Sequence, residues 1–360
     1  MNSRNQTRPL RIGSLPLGGG APVSVQTMAN VDPHDAAALS EQVRRCAELG
    51  CDLYRLTVPD VQAAEVLGRV RKASPIPLVA DIHFDYRCAL AAIAAGTDAL
   101  RLNPGNIGAR DRVQAVARAA KAKGVPIRIG VNLGSLQRDL RDELDAGRLT
   151  APEALVRSAL GHLKLLEDEG FRDCVVSAKA SNVADTLATY RMLAERTDCP
   201  LHLGVTEAGT FLPGTVRSSV ALGVLLAEGI GDTIRVSLTD RPEKEVRVGM
   251  EILRALGLRP PGPAITSCPT CGRTKVDLIR TATAVEDALE ARFRGAAGGK
   301  IPRVAVMGCV VNGPGEAKGA DIALCGGAGE FVLYVRGSQV CRVSEADAVS
   351  KVMEYVDSLR

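Results

Sequence analysis

Five apolar runs in this sequence each carry a cation: Arg55 in LYRLTV, Arg101 in ALRLN, Arg128 in PIRIGVN, Lys179 closing CVVSAK and Arg235 in DTIRVSL. A guanidinium inside a strand run cannot point cheaply into a dry core. At the open end of a sheet or barrel it can point at a ligand. Five converging cations repel one another unless something anionic joins them, and arginine forks match pairs of phosphate oxygens. The implied chemistry is capture of a small molecule with more than one phosphate charge. Gln26, Asn103, Asn132, Ser177, Thr206 and Ser237 extend the polar set, and NPGN (103–106) and GVTEAG (204–209) offer backbone N–H groups. The alternative is that the arginines pair with local carboxylates, for which Asp81 and Glu207 are at hand. Glu207 among cations can also exchange a proton near the ligand. His83 is the second candidate for that role, or a hydrogen-bonded structural residue.

A second set lies near the C-terminus. SCPTCGR places Cys268 and Cys271 at the C-x2-C spacing that lets two thiolates grip one metal centre. Cys309 opens a loop, CVVNGPGEA, whose Gly313, Pro314 and Gly315 suit close backbone approach to a cluster. A zinc ribbon normally supplies a second C-x2-C, and none is present. The fourth ligand is then Cys325 or the Glu316 carboxylate. Three thiolates with one labile oxygen ligand suit an iron–sulfur centre that exchanges that oxygen for substrate. Structural zinc is the competing reading. Radical chemistry with adenosylmethionine calls for C-x3-C-x2-C, which is missing. Cys46, Cys51, Cys88, Cys174 and Cys199 are isolated in helix or strand patterns and read as small buried hydrophobes.

Both sets must be positioned by regular elements. Strand runs at 23–27, 53–58, 77–82, 99–103, 126–132, 174–179, 201–207 and 232–238 alternate with amphipathic stretches, among them 37–49, 60–72, 110–123, 182–196 and 214–228. Strand–helix alternation of this length implies βαβ units and a parallel sheet. Eight units, with no GxGxxG after the first strand, predict an N-terminal (β/α)8 TIM barrel over 1–257 rather than a doubly wound sheet. LRPPGPAITS (258–267) reads as a linker. Residues 268–360 then form a small α+β domain, with a helix near 275–294, strands at 303–308 and 331–335, and a last helix from Ser344. RGAAGGK (294–300) reads as a flexible surface loop.

The chain has 360 residues, a net charge of +4 and no tryptophan. The mild charge carries no Lys/Arg run, which argues against nucleic-acid binding. No apolar stretch suits a membrane span or a signal segment. A cytoplasmic protein is expected, so the ten cysteines should not form disulfides.

The segments SVQTMAN, VADIHFDYR, LRLNPGNIG, PIRIGVNLGSL, LHLGVTEAG, EGIGDTIRVSL, SCPTCGR and MGCVVNGPGEA together resemble the bacterial 4-hydroxy-3-methylbut-2-enyl diphosphate synthases, from about Arg11 to Val356. The resemblance implies reductive opening of a cyclic diphosphate, with two electrons drawn from flavodoxin or ferredoxin. It implies a [4Fe–4S] cluster on Cys268, Cys271, Cys309 and Glu316. It also implies diphosphate contacts from Arg55, His83, Arg101, Arg128, Asn132, Lys179, Arg235 and Ser237, with Glu207 near the reacting carbons. The stretch at 294–300 is longer than the family pattern leads one to expect. A linker of this length reaches at most about 33–36 Å, a marginal climb past the barrel to its mouth. Reach and resemblance alike predict a head-to-tail homodimer, each cluster domain serving its partner's barrel.

Overall fold

The computed structural model describes residues 6–107, 110–263, 265–293, 301–309, 315 and 317–359. Glu316, most of the loop after Cys309 and the stretch 294–300 therefore lie outside the described residues. The chain divides into two compact units between Arg259 and Pro260.

The first unit begins with a hairpin, β1 (Leu10–Ile12) and β2 (Leu15–Leu17), that the alternation of strands and helices did not reveal. Its Leu10, Ile12 and Leu17 pack against Leu53, Val79, Ala99 and Val175 and plug one end of the barrel. Eight parallel strands follow: β3 (Ser24–Met28), β4 (Leu53–Thr57), β5 (Leu78–Asp81), β6 (Ala99–Leu102), β7 (Ile127–Asn132), β8 (Cys174–Lys179), β9 (His202–Leu203) and β10 (Thr233–Ile234). Their order is β8-β7-β6-β5-β4-β3-β10-β9, and a bridge from Val176 to Leu201 closes the circle. The expected (β/α)8 TIM barrel is the observed fold.

Among the described residues, ten α-helices belong to this unit: α1 (Ala36–Glu48), α2 (Val61–Ala73), α3 (Tyr86–Ala95), the single turn α4 (Pro104–Ile107), α5 (Arg110–Lys123), α6 (Arg138–Asp145), α7 (Ala151–Glu167), α8 (Val183–Arg196), α9 (Phe211–Ala227) and α10 (Pro242–Ala255). Several start on acids or amides that accept from free backbone N–H groups, as Asp35 does from Ala37 and Ala38, Asp60 from Ala63 and Asn182 from Asp185. Among the described residues, no helix is long and apolar enough to cross a membrane.

Period-2 alternation sorts the strands. Tyr54, Leu56, Leu100, Leu102, Ile127 and Ile129, with their neighbours, face the helices in one buried core. The alternate positions face the barrel axis, and these carry the polar residues. β9 and β10 are much shorter than the runs 201–207 and 232–238 predict. Backbone bonds continue beyond them, from Arg235 N to Leu203 O (3.0 Å) and from Thr206 N to Ala180 O (3.0 Å). Gly204 interrupts the regular ladder there, as glycine does in strands.

The second unit is α+β, as expected, with more strands than the sequence suggests. β11 (Ile265–Ser267), β12 (Val304–Met307), β13 (Ile322–Gly326), β14 (Glu330–Val335) and β15 (Ser338–Ser344) form one sheet in that order. The first three strands are parallel and the last two antiparallel. Helices α11 (Leu278–Phe293) and α12 (Ala348–Ser358) pack with the sheet residues Val304, Val306, Ile322 and Leu324 in a shared core. Two expectations are corrected. The stretch read as linker up to Ser267 ends in β11, because Ile265 pairs with Val304 and packs on that core. Ser344 closes β15 instead of opening the last helix, and its hydroxyl receives the Asp347 N–H at the turn between them.

Candidate functional site

Register sets two of the barrel cations side by side. Arg101 pairs with Arg128 across β6 and β7, and with Asp81 across β5 and β6. Asp81, 2 % exposed, is the hub. It accepts from Arg101 Nη1 at 3.1 Å, faces Arg55 Nε at 3.6 Å and lies 3.9 Å from His83 Nε2. Burial raises its carboxyl, but Arg55, Arg101, His83 and Arg128 outweigh burial and hold it below the usual value. Arg55 also donates to the Met28 sulfur at 2.8 Å, a weak acceptor. Burial, despite Asp81, lowers the Arg55 guanidinium to about 10.

The second carboxylate is not Glu207. It is Glu245, from the first turn of α10, which faces Arg235 Nη2 at 3.2 Å and accepts from Thr27 Oγ1 at 2.6 Å. Sequence reasoning missed it because Pro242 and the acidic residues behind it read as an ordinary helix start. Glu207 makes no ion pair with any described residue. It sits exposed just beyond β9 with φ +53°, a left-handed conformation costly for glutamate.

Arg128 and Lys179 form no ion pair in contact with a carboxylate among the described residues. Arg128 is 5 % exposed, and its polar partner is Gln26 Oε1 at 3.3 Å. Burial, then Arg55 and Arg101, push its guanidinium well below the ordinary value. A guanidinium keeps its proton at neutral pH, so the crowding is stored repulsion that an anion would relieve. Burial, then Arg235, Arg128, Arg55 and Arg101, likewise depress Lys179. Among the described residues, five cations thus stand against two carboxylates, and three of them are ion-paired, an excess that suits a diphosphate.

Two glycines make room for this ring. A Cβ on Gly130 would collide with Arg101 Nε, and one on Gly204 would lie 2.6 Å from Lys179 Nζ. The sequence marks Gly204 only as part of GVTEAG and Gly130 only as part of PIRIGVN. Asn132 follows Gly130 on the same face of β7, where its N–H donates to Ser135 Oγ at 3.1 Å. Asn103 donates to the Ser135 carbonyl at 3.3 Å. Ser237 is half-buried two residues beyond Arg235. His83 is exposed beyond β5.

In the second unit, Cys268 follows β11 and Cys309 follows β12, two adjacent parallel strands. The Gly308 N–H donates to Cys268 Sγ at 3.3 Å, the kind of contact that stabilises a ligating sulfur. Cys271 is exposed, and Cys268 and Cys309 are half-buried. The described residues alone do not gather into a finished metal centre, and Glu316 is not among them. Cys325 lies on β13, wholly buried with Met307 and Ala323. Burial, then Cys309 and Cys268, push its thiol up to about 11. The donor set on Cys268, Cys271 and Cys309 fits a thiophilic metal or cluster.

Fold and site define an α/β-barrel protein whose mouth gathers cations in excess of carboxylates among the described residues, followed by an α+β unit carrying Cys268, Cys271 and Cys309. The chain belongs to the GcpE family. The GcpE TIM-barrel domain matches residues 7–250 and the GcpE protein C-terminal domain residues 264–358. It is 52 % identical over 357 residues to a Geobacter sulfurreducens protein named 4-hydroxy-3-methylbut-2-en-1-yl diphosphate synthase (flavodoxin), covering 98 % of each chain. A Lawsonia intracellularis protein of the same name is 51 % identical, covering 100 % of this chain and 98 % of that one. Among solved structures, the dihydropteroate synthase of Yersinia pestis aligns with a TM-score of 0.48 at 14 % identity, over 69 % of this chain and 97 % of its own.

Proposed function

We propose that the chain opens the ring of 2-C-methyl-D-erythritol 2,4-cyclodiphosphate reductively. The products are (E)-4-hydroxy-3-methylbut-2-enyl diphosphate and water, and two electrons are consumed. This is the penultimate step of the non-mevalonate isoprenoid route. The observation that carries the reading is the crowd of buried and half-buried cations at the barrel mouth, short of carboxylates among the described residues, in a chain half identical to synthases of that name.

Arg55, Arg101, Arg128, Lys179 and Arg235 clamp the diphosphate, with His83, Asn132 and Ser237 completing its shell. Each charge-assisted bond contributes about 1.5–3 kcal/mol, and anion binding relieves the repulsion among the cations. Asp81 and Glu245 hold Arg55, Arg101 and Arg235 in place before the ligand arrives, so little reorganisation is needed. Glu207, which forms no ion pair with any described residue, hands a proton to the departing hydroxyl. His83, drawn towards Asp81, serves the diphosphate. When bound on Cys268, Cys271, Cys309 and Glu316, a [4Fe–4S] cluster supplies the two electrons and a Lewis-acidic iron. Flavodoxin or ferredoxin delivers the electrons in the cytoplasm. A head-to-tail homodimer brings each cluster to its partner's barrel.

The test is metal and acid-labile sulfide analysis of anaerobically purified full-length protein. A brown protein with about four irons per chain and absorbance near 410 nm is expected. Colourless protein with stoichiometric zinc would favour a non-redox barrel enzyme whose tail is stapled by metal.

A further inference from the structure

Below the cation ring the barrel interior does not become uniformly apolar. Gln26, Arg128, His202 and Thr233 line a small enclosed space, with Ile12 and Leu17 of the hairpin plug among its other walls. The four polar residues are 1 %, 5 %, 0 % and 1 % exposed. Gln26 Nε2, Arg128 Nε, Thr233 Oγ1 and both ring nitrogens of His202 have no hydrogen-bond partner among the described residues. A buried donor or acceptor left unpaired loses its full hydration, so this many together point to an occupant.

Size and chemistry narrow it. The space gives a water centre about 10 Å³ of room, close to the minimum for one molecule. Burial and the surrounding cations, Arg128 first, keep the imidazole neutral. A neutral imidazole offers one donor and one acceptor nitrogen. A halide would satisfy the donors but face the acceptor lone pair. Water accepts from Arg128 and Gln26 and still gives a proton to that nitrogen.

We propose that one internal water occupies this cavity, joining Arg128 Nε, Gln26 Nε2 and His202, and that His202 acts through it as a positioning residue for Arg128. Gln26 already holds the outer edge of the guanidinium through Oε1. The water would hold Nε from below, leaving the remaining N–H groups aimed at the mouth. His202 is itself fixed, since its carbonyl accepts from Tyr190 Oη at 2.6 Å. The positioning role rests on reading Arg128 as a diphosphate contact; the water does not.

The full-length chain is crystallised at high resolution, native and soaked in bromide. A single peak about 2.7–3.2 Å from His202, Gln26 and Arg128 is expected, with no anomalous signal. An empty cavity, or bromide in it, overturns the proposal. His202→Phe keeps a ring and removes both nitrogens. It should lose the water and raise the KM for the cyclodiphosphate about tenfold with a smaller change in kcat, and His202→Gln should recover part of the loss. A lower melting temperature with unchanged KM would leave His202 a merely structural residue and overturn the positioning role. Calorimetric titration with inorganic pyrophosphate reads the same weakening without turnover, so failure of the substrate reading is told apart from failure of this one. If His202→Phe does not fold, Thr233→Val replaces it. Magnetic relaxation dispersion should then show the long-lived internal water lost or exchanging faster than in the native chain, and unchanged dispersion would overturn the site.

Discussion

Arg101 folds its guanidinium over the bare Cα of Gly130 and donates to that glycine's carbonyl at 3.2 Å. The residue that makes the space also anchors the group that fills it. Gly130 is outside the left-handed region, so alanine there strains no backbone, and its methyl only displaces Arg101. Gly130→Ala should therefore resemble a mild Arg101→Ala. Arg101→Ala should lower kcat/KM by about 10- to 150-fold, the equivalent of one charge-assisted bond. Gly130→Ala should lower it by about tenfold, with the melting temperature little changed in both. Full activity in Gly130→Ala would show that Arg101 does not work from this position.

Lys179 should couple ligand binding to proton uptake. Its folded-state pKa is depressed, by burial first and the neighbouring cations next. Between that value and the ordinary lysine value the unfolded chain holds more protons, so ligand-free stability rises with pH across the window. An anion among the cations favours the charged form and raises the pKa. Binding must then take up protons, and affinity must fall as pH rises. Titrations of pyrophosphate in two buffers of different ionisation enthalpy should report uptake that disappears in Lys179→Met. Equal uptake by both proteins would place the titrating group elsewhere.

Glu316 and Cys325 divide the cluster assignment. Cys325 is wholly buried with its thiol pushed up to about 11, and it is expected to pack. Cys325→Ser should keep its iron and its activity, with a modest loss of stability. Glu316→Ala should yield a three-iron or depleted protein without turnover. The reverse pattern in iron content would make Cys325 the fourth ligand.

The head-to-tail homodimer is tested by complementation. Cys271→Ser should be inactive for want of a cluster, and Arg101→Ala weakened about 10- to 150-fold through its barrel. Mixed under conditions that exchange subunits, they should regain activity, because one pairing unites an intact barrel with an intact cluster. No recovery, with heterodimers demonstrated, would mean that each chain serves its own barrel.

Much of this was legible in the sequence because it follows period 2. Arg55, Arg101, Arg128, Lys179 and Arg235 each sit in or beside a strand run, at positions where alternation turns them inward, and cysteine spacing needs no fold to be noticed. The hairpin plug was not legible, since three-residue strands around Gly13 and Pro16 carry no periodic signal. Glu245 was hidden because its partner Arg235 is supplied by a different element, and an acid near a helix start has a local explanation. Gly130 and Gly204 were hidden because their role is the absence of a side chain. His202 read as part of a strand, and its buried, unpartnered ring emerges only once the barrel closes.

The central claim is reductive opening of a cyclic diphosphate at the barrel mouth. The direct measurement is anaerobic incubation of the full-length, cluster-loaded chain with 2-C-methyl-D-erythritol 2,4-cyclodiphosphate and dithionite, with the product identified by mass spectrometry. The account predicts 4-hydroxy-3-methylbut-2-enyl diphosphate at two electrons per turnover, and loss of that product in Arg128→Ala with the cluster intact. A brown, reducible protein that leaves the cyclodiphosphate unchanged, or an Arg128→Ala protein of full activity, would contradict it.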